Sequence, residues 1–275
     1  MELKDKVVVV TGGASGIGQG LVERFHTEGA RHIVVADLDE VGATRVAESV
    51  GGTGVGLDVT DEAALAAMVE RTIETHGPID LFVSNAGYVT VGGVEIDNSE
   101  LTNMFDVHVM AHLYAARVVL PSMIARGEGY LLNTASAAGL LTQIGSLSYA
   151  VTKHAAVALA EWLAVTHGSQ GIKVSVLCPQ AVESNITQNS PSKGRLGGGG
   201  AGVAAADGVL TAAQLADTVI ETLAAERFHV LPHDEVSIYV ERKAADVDRW
   251  IKGMQRFQER LYLDNPTPGE WLLES

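Results

Sequence analysis

The sequence predicts an α/β protein, a doubly wound three-layer sandwich with a predominantly parallel seven-stranded sheet and a C-terminal helical extension. Short runs rich in β-branched residues alternate with longer stretches of helical periodicity along most of the 275 residues. These runs are almost continuously apolar, which is typical of parallel strands buried on both faces. No internal repeat or linker divides the chain, so we expect a single domain over 1–275.

The order of the elements follows from this alternation. Strands are predicted over residues 7–11, 33–36, 54–57, 81–84, 130–134, 173–177 and 228–231. Helices are predicted between them over residues 16–28, 40–49, 61–76, 99–126, 148–168 and 211–225. Asp61 with Glu62, and Thr211 with Gln214, are typical of helix N-termini.

Two regions depart from the alternation. Residues 185–210 are glycine-rich and have no period, which predicts a mobile loop near the substrate. Residues 234–275 follow the last strand, and apolar side chains recur in 234–263 at spacings of three, four or seven. That stretch therefore has one apolar helical face, and both docking on its own domain and packing against another subunit stay open.

Composition and charge limit the classes of function. Apolar residues make up 47% and charged residues 19%, which predicts a filled core rather than disorder. The net charge of −15, with no basic patch, argues against nucleic acid and membranes as partners. The single cysteine, Cys178, ends an apolar run and is interpreted as a buried inert thiol. With no signal peptide and no apolar run of about 18 residues, a cytoplasmic location is expected.

Residues 11–18 form a glycine-rich turn between the first strand and the first helix. Gly12, Gly16 and Gly18 permit a tight turn, and the helix N-terminus offers free N–H groups to a pyrophosphate. A strand before and a helix after are the context that a dinucleotide site requires. A tight turn that binds nothing is the alternative interpretation.

Asp37 ends the second strand, 19 residues after Gly18. A carboxylate there accepts hydrogen bonds from the ribose hydroxyls of an adenosine and repels a 2′-phosphate. Because Leu38 and Ser15 offer no positive charge, NAD is predicted rather than NADP. Asp58, followed by Val59, is placed to meet the adenine ring, although an ordinary surface turn at Asp58 stays open.

Tyr149 and Lys153 are one turn apart on the same face of a predicted helix. A free tyrosine has a pKa near 10, and lowering it to about 7 requires roughly 4 kcal/mol of stabilisation of the phenolate. A neighbouring ammonium and a cationic nicotinamide ring together could supply this. The spacing alone is weak support, since it also occurs in many solvated helices.

These motifs together resemble the short-chain dehydrogenase/reductase family over about residues 5–232. The matching positions are the cofactor turn, the motif after the fourth strand, a serine thirteen residues before the tyrosine, the Tyr-x-x-x-Lys pair and a proline after the sixth strand. They are Gly12, Gly16, Gly18, Asn85, Ala86, Gly87, Ser136, Tyr149, Lys153 and Pro179. The resemblance implies a Rossmann-like fold and hydride transfer between NAD and a secondary alcohol or ketone.

The resemblance also implies a role for each site residue. Tyr149 would be the general acid/base, Lys153 would hold the nicotinamide ribose and lower the Tyr149 pKa, and Ser136 would hydrogen-bond the substrate oxygen. The backbone near Val182 would contact the carboxamide, with Ser184 where the family usually has Thr. The cofactor set also includes Ser15, Ile17, Asp37, Leu38, Asp58 and Val59. The substrate set also includes Ala138, Gln143 and Gln180.

The chain departs from the family pattern at two places. His108 stands where the family usually has Asn, a residue whose side chain fixes a helix distortion and whose carbonyl orders a water beside the Lys. A proton relay through the His108 imidazole is the competing possibility, so His108 is kept among the catalytic candidates. Gln180 stands where Gly commonly follows the proline. His108 and His112 form an i,i+4 pair, but no third ligand has matching spacing, and no metal site is predicted.

The assembly is also implied by the resemblance, since relatives pair the helices over 99–126 and 148–168 between subunits. A homotetramer, or at least a homodimer, is therefore expected. The apolar residues that suggest this surface are Val107, Val109, Met110, Leu113, Ala116, those from Ala155 to Leu159, and Leu163.

The predicted function is NAD-dependent oxidation of a secondary alcohol to a ketone, or the reverse. Apolar residues flank the catalytic positions, which favours an apolar, cyclic or aromatic substrate. No arginine is predicted to meet a carboxylate or phosphate, except Arg195 in the glycine-rich loop. Two alternatives stay open: a non-catalytic NAD(H)-binding regulator on the same fold, and a relative that reduces carbon–carbon double bonds.

Overall fold

A computed structural model describes residues 1–184, 186, 205, 207–263 and 265–273. Its centre is a seven-stranded sheet in the order β3-β2-β1-β4-β5-β6-β7, in which every neighbouring pair is parallel. The strands are β1 (Val7–Thr11), β2 (His32–Asp37), β3 (Thr53–Gly56), β4 (Leu81–Ser84), β5 (Gly129–Thr134), β6 (Ile172–Leu177) and β7 (His229–Val230). All seven predicted strands are present with ends within one residue, and the predicted fold class is confirmed.

Helices cover both faces of the sheet. In the described part of the chain they are α1 (Gly16–Thr27), α2 (Glu40–Ser49), α3 (Glu62–His76), α4 (Asn98–Phe105), α5 (Ala111–Arg126), α6 (Ala138–Leu141), α7 (Leu147–His167), α8 (Ala212–Ala225), α9 (Glu235–Ala245) and α10 (Val247–Leu261). Strand side chains alternate between two clusters: Val7 and Val9 face α3, α5 and α7, whereas Val8 and Val10 face α1, α2 and α8. Burial on both faces explains the near-continuous apolarity of the strands.

The predicted helix over 99–126 is interrupted by a π-helical turn at Asp106–Met110, between α4 and α5. The turn contains His108, the position at which the resemblance implies a helix distortion. Within the described residues, Asn98–Arg126 is the one helical segment long and apolar enough to cross a membrane. Half of that window is buried in the protein, and a core helix meets the same criteria.

The C-terminal stretch forms two helices rather than a single continuous one. Asp246 adopts an extended backbone (φ −158°), and its side chain accepts the N–H of Arg249 at 2.9 Å, which ends α9 and begins α10. Val236 of α9 packs on Ala137 and Leu141, and Lys243 Nζ donates to the Leu140 carbonyl at 2.6 Å. The extension therefore docks on its own subunit, against α6.

Several residues expected at a subunit interface lie inside the subunit instead. Val109, Ala116, Ala156, Val157 and Leu163 are at most 8% exposed and belong to the core cluster or its edge. They point to the sheet because α5 and α7 lie directly on it. The apolar side chains that α4 and α7 leave exposed are Phe105, Val151, Trp162 and Val165.

Candidate active site

The carboxyl ends of the strands open into a cavity of about 1620 Å³. Every predicted cofactor and substrate residue lines it, so residues far apart in the sequence meet at one place. His108 does not line it and is fully buried. The predicted loop over 185–210 lies largely outside the described residues, as does Arg195. Its base is described: Val182 and Leu210 form a parallel bridge.

The glycine turn brings the end of β1 against the segment that follows β4. Gly12 has a φ of +64°, and a Cβ there would lie 2.7 Å from the Ala86 Cα. The Asn85 Nδ2 donates to the Thr11 and Gly12 carbonyls at 3.1 and 3.2 Å. No side chain caps the N-terminus of α1 at Ser15, so its first N–H groups stay available to an anion. This cradle fits the pyrophosphate of a dinucleotide.

Asp37 stands at the end of β2 with its carboxylate fixed by two backbone donors. Oδ2 accepts from the Ala14 N–H and Oδ1 from the Asp39 N–H, both at 3.0 Å. Leu38 beside it is 78% exposed and carries no charge, so this side chain does not offset the negative charge of Asp37. The Asp58 Oδ1 accepts from the Thr60 N–H and hydroxyl, which is the ordinary turn role, although Asp58 also lines the cavity.

Ser136, Tyr149 and Lys153 approach the cavity from two elements. Ser136 follows β5, and its Oγ accepts from the Ala138 N–H at 3.1 Å, which fixes the hydroxyl below α6. Tyr149 lies in the first turn of α7, where the Ser146 side chain is the N-cap. The Lys153 Nζ donates to the Thr134 carbonyl at 3.1 Å and lies 5.5 Å from the centre of the Tyr149 ring.

Burial shifts the pKa values of the titratable side chains at this site. It raises the pKa of the Tyr149 hydroxyl, while the hydrogen bond with Ser136 opposes that shift. It lowers the pKa of Lys153 to about 8. The expected lowering of the Tyr149 pKa by Lys153 is therefore not produced by the protein's own groups, because loss of solvation outweighs them. Burial likewise raises the pKa of the free thiol Cys178 to about 12.

His108 lies at the centre of the π-helical turn, behind Gly87 and Lys153. Its Nε2 accepts the Tyr88 N–H at 3.3 Å, and its Nδ1 lies 2.9 Å from the Thr152 hydroxyl. Thr152 donates its own proton to the Ser148 carbonyl, so Nδ1 is the donor to Thr152. Burial lowers the pKa of His108 well below its usual range, with Lys153 adding to the shift. The imidazole is therefore neutral and engaged at both nitrogens, and its place among the catalytic candidates is not supported.

His112 lies one turn further along and has no hydrogen-bond partner at either ring nitrogen. It lines a small cavity among Leu65, Phe82 and Ala111, and burial lowers its pKa to about 3. In the part of the chain that the structure describes, no group of three or more His, Cys, Asp or Glu side chains is arranged to hold a metal ion.

The rim next to the catalytic residues joins the segment after β6 to α9. The Gln180 Nε2 donates to Asp207 Oδ2 at 3.0 Å, and the Tyr239 hydroxyl donates to Asp207 Oδ1 at 3.0 Å. The backbone N–H of Gln180 donates to His233 Nδ1 at 3.3 Å. Gln180 thus both lines the cavity and links the segments that form its wall.

Sequence reasoning missed the part of the cavity that the C-terminal helices form. The expectation that no arginine outside the glycine-rich loop meets the site is wrong, because four arginines of α9 and α10 line the cavity. They are Arg242, Arg249, Arg256 and Arg260. Their regular spacing and the amphipathic pattern of the stretch were visible in the sequence, but its docking site was not.

Comparisons with known proteins agree with this geometry. The family model described as short chain dehydrogenase matches residues 6–194. A 1-deoxy-11-beta-hydroxypentalenate dehydrogenase of Streptomyces exfoliatus is 32% identical over 260 residues, which cover 91% of this chain and 91% of that protein. A meso-2,3-butanediol dehydrogenase of Serratia marcescens is 32% identical over 197 residues, 70% of this chain and 78% of that protein.

A solved structure has the same fold over most of the chain. The crystal structure of a short chain dehydrogenase/reductase from Burkholderia phymatum in complex with NAD superposes with a TM-score of 0.82. The two are 28% identical, and the match covers 90% of this chain and 96% of that one.

Proposed function

The chain belongs to the short-chain dehydrogenase family and is an oxidoreductase acting on CH–OH groups, and on that premise we propose that it transfers hydride between NAD and a secondary alcohol or ketone. One observation carries the proposal: Ser136, Tyr149 and Lys153 line the same cavity as the glycine turn and Asp37. When bound, the nicotinamide supplies the hydride acceptor or donor.

Side chains of the protein bind the substrate oxygen and transfer its proton. The Ser136 and Tyr149 hydroxyls donate to the substrate oxygen, which gains negative charge as a ketone is reduced. Tyr149 takes the proton from the hydroxyl in oxidation and returns it in reduction. The Lys153 ammonium is held by the Thr134 carbonyl. With the cofactor bound, it would hold the nicotinamide ribose and, together with the nicotinamide charge, would stabilise the Tyr149 phenolate.

NAD is the proposed cofactor, in preference to NADP. Asp37 is the support, because its fixed carboxylate at the end of β2 would repel a 2′-phosphate and Leu38 offers no charge to balance it. Ser15, Ile17 and Val182 would contact the phosphates and the carboxamide through their backbones. Asp58, with Val59, would flank the adenine.

For the substrate, we propose an apolar, cyclic or aromatic body. The wall near Tyr149 includes the apolar side chains of Leu141 and Ile186, with Ala138, Gln143 and Gln180 as the polar and small neighbours. The names of two relatives support such a body: the hydroxypentalenate dehydrogenase, and a 3beta-hydroxysteroid dehydrogenase of Eggerthella lenta that is 32% identical over 192 residues.

The deciding experiment is NADH formation with a panel of aliphatic, cyclic, aromatic and steroidal secondary alcohols. Turnover that disappears in Tyr149→Phe supports the proposal. NAD binding without turnover of any alcohol or ketone would favour the regulator instead. Turnover confined to enones, with loss of the carbon–carbon double bond, would favour the other alternative.

The remaining features of the proposal concern the whole chain. We propose one domain over 1–275, since both apolar clusters share one sheet, and a homotetramer or homodimer joined through the exposed apolar surface of α4 and α7. A cytoplasmic location is also proposed, because the chain keeps its one cysteine as a free thiol.

A further inference from the structure

Four arginines of the C-terminal helices line the cavity, and we call them the arginine row: Arg242 of α9 and Arg249, Arg256 and Arg260 of α10. Spacings of seven and four residues place the three in α10 along one face of the helix. The chain has 34 acidic and only 19 basic residues, so a rim with four cations reverses the overall charge locally.

Among the described residues, no carboxylate forms an ion pair with an arginine of the row. Ion pairs are present elsewhere, for example between Arg117 and Glu62 at 3.1 Å and between Arg126 and Asp80 at 3.2 Å. Within the row, the Arg260 guanidinium lies 5.7 Å from the centre of the Phe257 ring. Contact with a ring face orients a guanidinium and leaves its N–H donors available.

Two carboxylates on the same rim are already occupied. Asp246 accepts the backbone N–H of Arg249 as the N-cap of α10, and Asp207 accepts from Gln180 and Tyr239. The guanidinium N–H donors of the row therefore face the cavity without being engaged by Asp207 or Asp246 in these hydrogen bonds.

Both ends of α10 are fixed at the substrate end of the cavity. Near its start, the Trp250 ring lies 6.3 Å from that of Tyr239, in the cluster that contains Leu141. Just past its end, the Tyr262 hydroxyl lies against Gly145, where an added Cβ would be 2.6 Å from it. Residues 141 and 145 belong to the segment between Ser136 and Tyr149, whereas the adenosine end lies at Asp37. The row therefore spans the mouth above the catalytic residues.

The rest of the mouth is apolar and spacious. Trp250, Met254 and Phe257 line the cavity beside the row. Its volume of about 1620 Å³ exceeds the roughly 300–1000 Å³ of an ordinary ligand pocket, which leaves room for a substantial body next to a dinucleotide.

We propose that the substrate is an amphiphilic alcohol, in which an apolar body carries the secondary hydroxyl at one end and an oxyanion, a carboxylate or phosphate, at the other. The arginine row binds the oxyanion while the hydroxyl reaches Ser136 and Tyr149. Guanidinium forks match both groups through paired N–H donors. This substrate class rests on the proposed dehydrogenase function and narrows it.

The test compares probes that differ only in the charged group. A hydroxylated cyclohexanecarboxylate and a hydroxysteroid carboxylate are each assayed with NAD beside their methyl esters. Cyclohexanediol monophosphate represents the phosphate and is assayed beside cyclohexanediol monomethyl ether. We expect at least one anion to exceed its neutral counterpart in kcat/KM by about tenfold or more. Arg256→Gln and Arg260→Gln should each raise KM for that anion about tenfold, so that the preference for the anion over its ester falls, while KM for NAD stays the same.

Lys252→Gln is the matched control, because Lys252 is an exposed cation of α10 that does not line the cavity. It should leave all constants unchanged. Equal kcat/KM for anion and ester would overturn the inference, and so would a raised KM for NAD alone, which would assign the row to the cofactor phosphates.

Direct binding separates this inference from the proposed function. Calorimetric titration of the carboxylates and the monophosphate into the protein with NADH bound should give, for at least one of these anions, an affinity that Arg256→Gln weakens and Lys252→Gln does not. Such binding without turnover of any probe would contradict the dehydrogenase proposal but support the oxyanion site. Absence of binding by every anion would overturn the oxyanion site.

Discussion

Burial raises the pKa of the Tyr149 hydroxyl, whereas a base at neutral pH needs a lowered pKa. Lys153, whose own pKa falls to about 8, is held at Thr134 rather than at the phenol. The protein alone therefore keeps Tyr149 protonated. The positive charge of an oxidised nicotinamide, when bound, is what would lower the Tyr149 pKa.

Tyr149→Phe tests the role of that hydroxyl. The ring and its packing stay, so folding and NADH binding should persist while turnover falls by about 100- to 10 000-fold. Steady-state kinetics and NADH fluorescence measure the two effects. Tyr114→Phe, in α5 and outside the cavity, is the control and should keep normal rates. Near-normal turnover in Tyr149→Phe would refute the assigned role.

Cofactor choice depends on Asp37 and Leu38. Asp37→Ser with Leu38→Arg removes the repulsion and adds a phosphate partner, so the ratio of kcat/KM for NADP over NAD should rise about 100-fold. Asp37→Ser alone should give only part of that change. An unaltered protein that already prefers NADP would show that the interpretation of Asp37 is mistaken.

His112 makes stability depend on pH. Its pKa is about 3 in the folded protein against an ordinary 6.5, so the unfolded chain binds a proton that the folded chain does not. The stability that neutral, buried His112 contributes is complete above pH 6.5, and it is lost as the pH falls from there toward 3.

His112→Leu removes this titration and the unpartnered ring nitrogens. Relative to the unaltered protein, its free energy of unfolding should improve by about 2 kcal/mol more at about pH 5 than at about pH 7.5. Urea unfolding at the two pH values is the measurement. An equal change at both would show that His112 does not titrate as inferred.

At the scale of elements, the π-helical turn at Asp106–Met110 is held by the side chain of His108 through Tyr88 and Thr152. His108→Asn should change turnover little, and His108→Ala should cost about 1 kcal/mol or more in unfolding free energy through the lost hydrogen bonds. Thermal unfolding and pH–rate profiles are the readouts. A relay through the imidazole predicts instead that His108→Ala abolishes both a solvent isotope effect and a titration near neutral pH.

The elements differ in how far the sequence alone predicts them. Strands such as 7–11 and 81–84 are predicted to the residue, because burial on both faces leaves an unbroken apolar run. The apolar period does not reveal the π-helical turn, because the period continues through it and only the backbone pairing changes; the family resemblance alone implies a distortion there. The sequence does not predict the placement of the arginine row at the cavity either. That placement depends on where α10 docks, and this contact is long-range in sequence.

At the scale of the whole molecule, assembly is the property that the apolar surface of α4 and α7 predicts. Trp162 is 58% exposed on α7, and Trp162→Glu would bury a charge if this surface joins subunits. Sedimentation velocity at micromolar concentration should show the oligomer dissociating. Val41→Glu is the control, because Val41 is 81% exposed on α2, on the other face of the sheet. A monomer in the unaltered protein would contradict the assembly.

The position of Cys178 in the fold makes its reactivity a probe of local opening. It is the only thiol of the chain, it is completely buried next to Ser136 and Lys153, and its pKa is raised to about 12. Alkylating reagents attack the thiolate, so the folded protein should resist them until this region opens. The labelling rate therefore reports the opening of the catalytic centre itself, and its slowing by a ligand would measure how firmly that ligand keeps the centre closed.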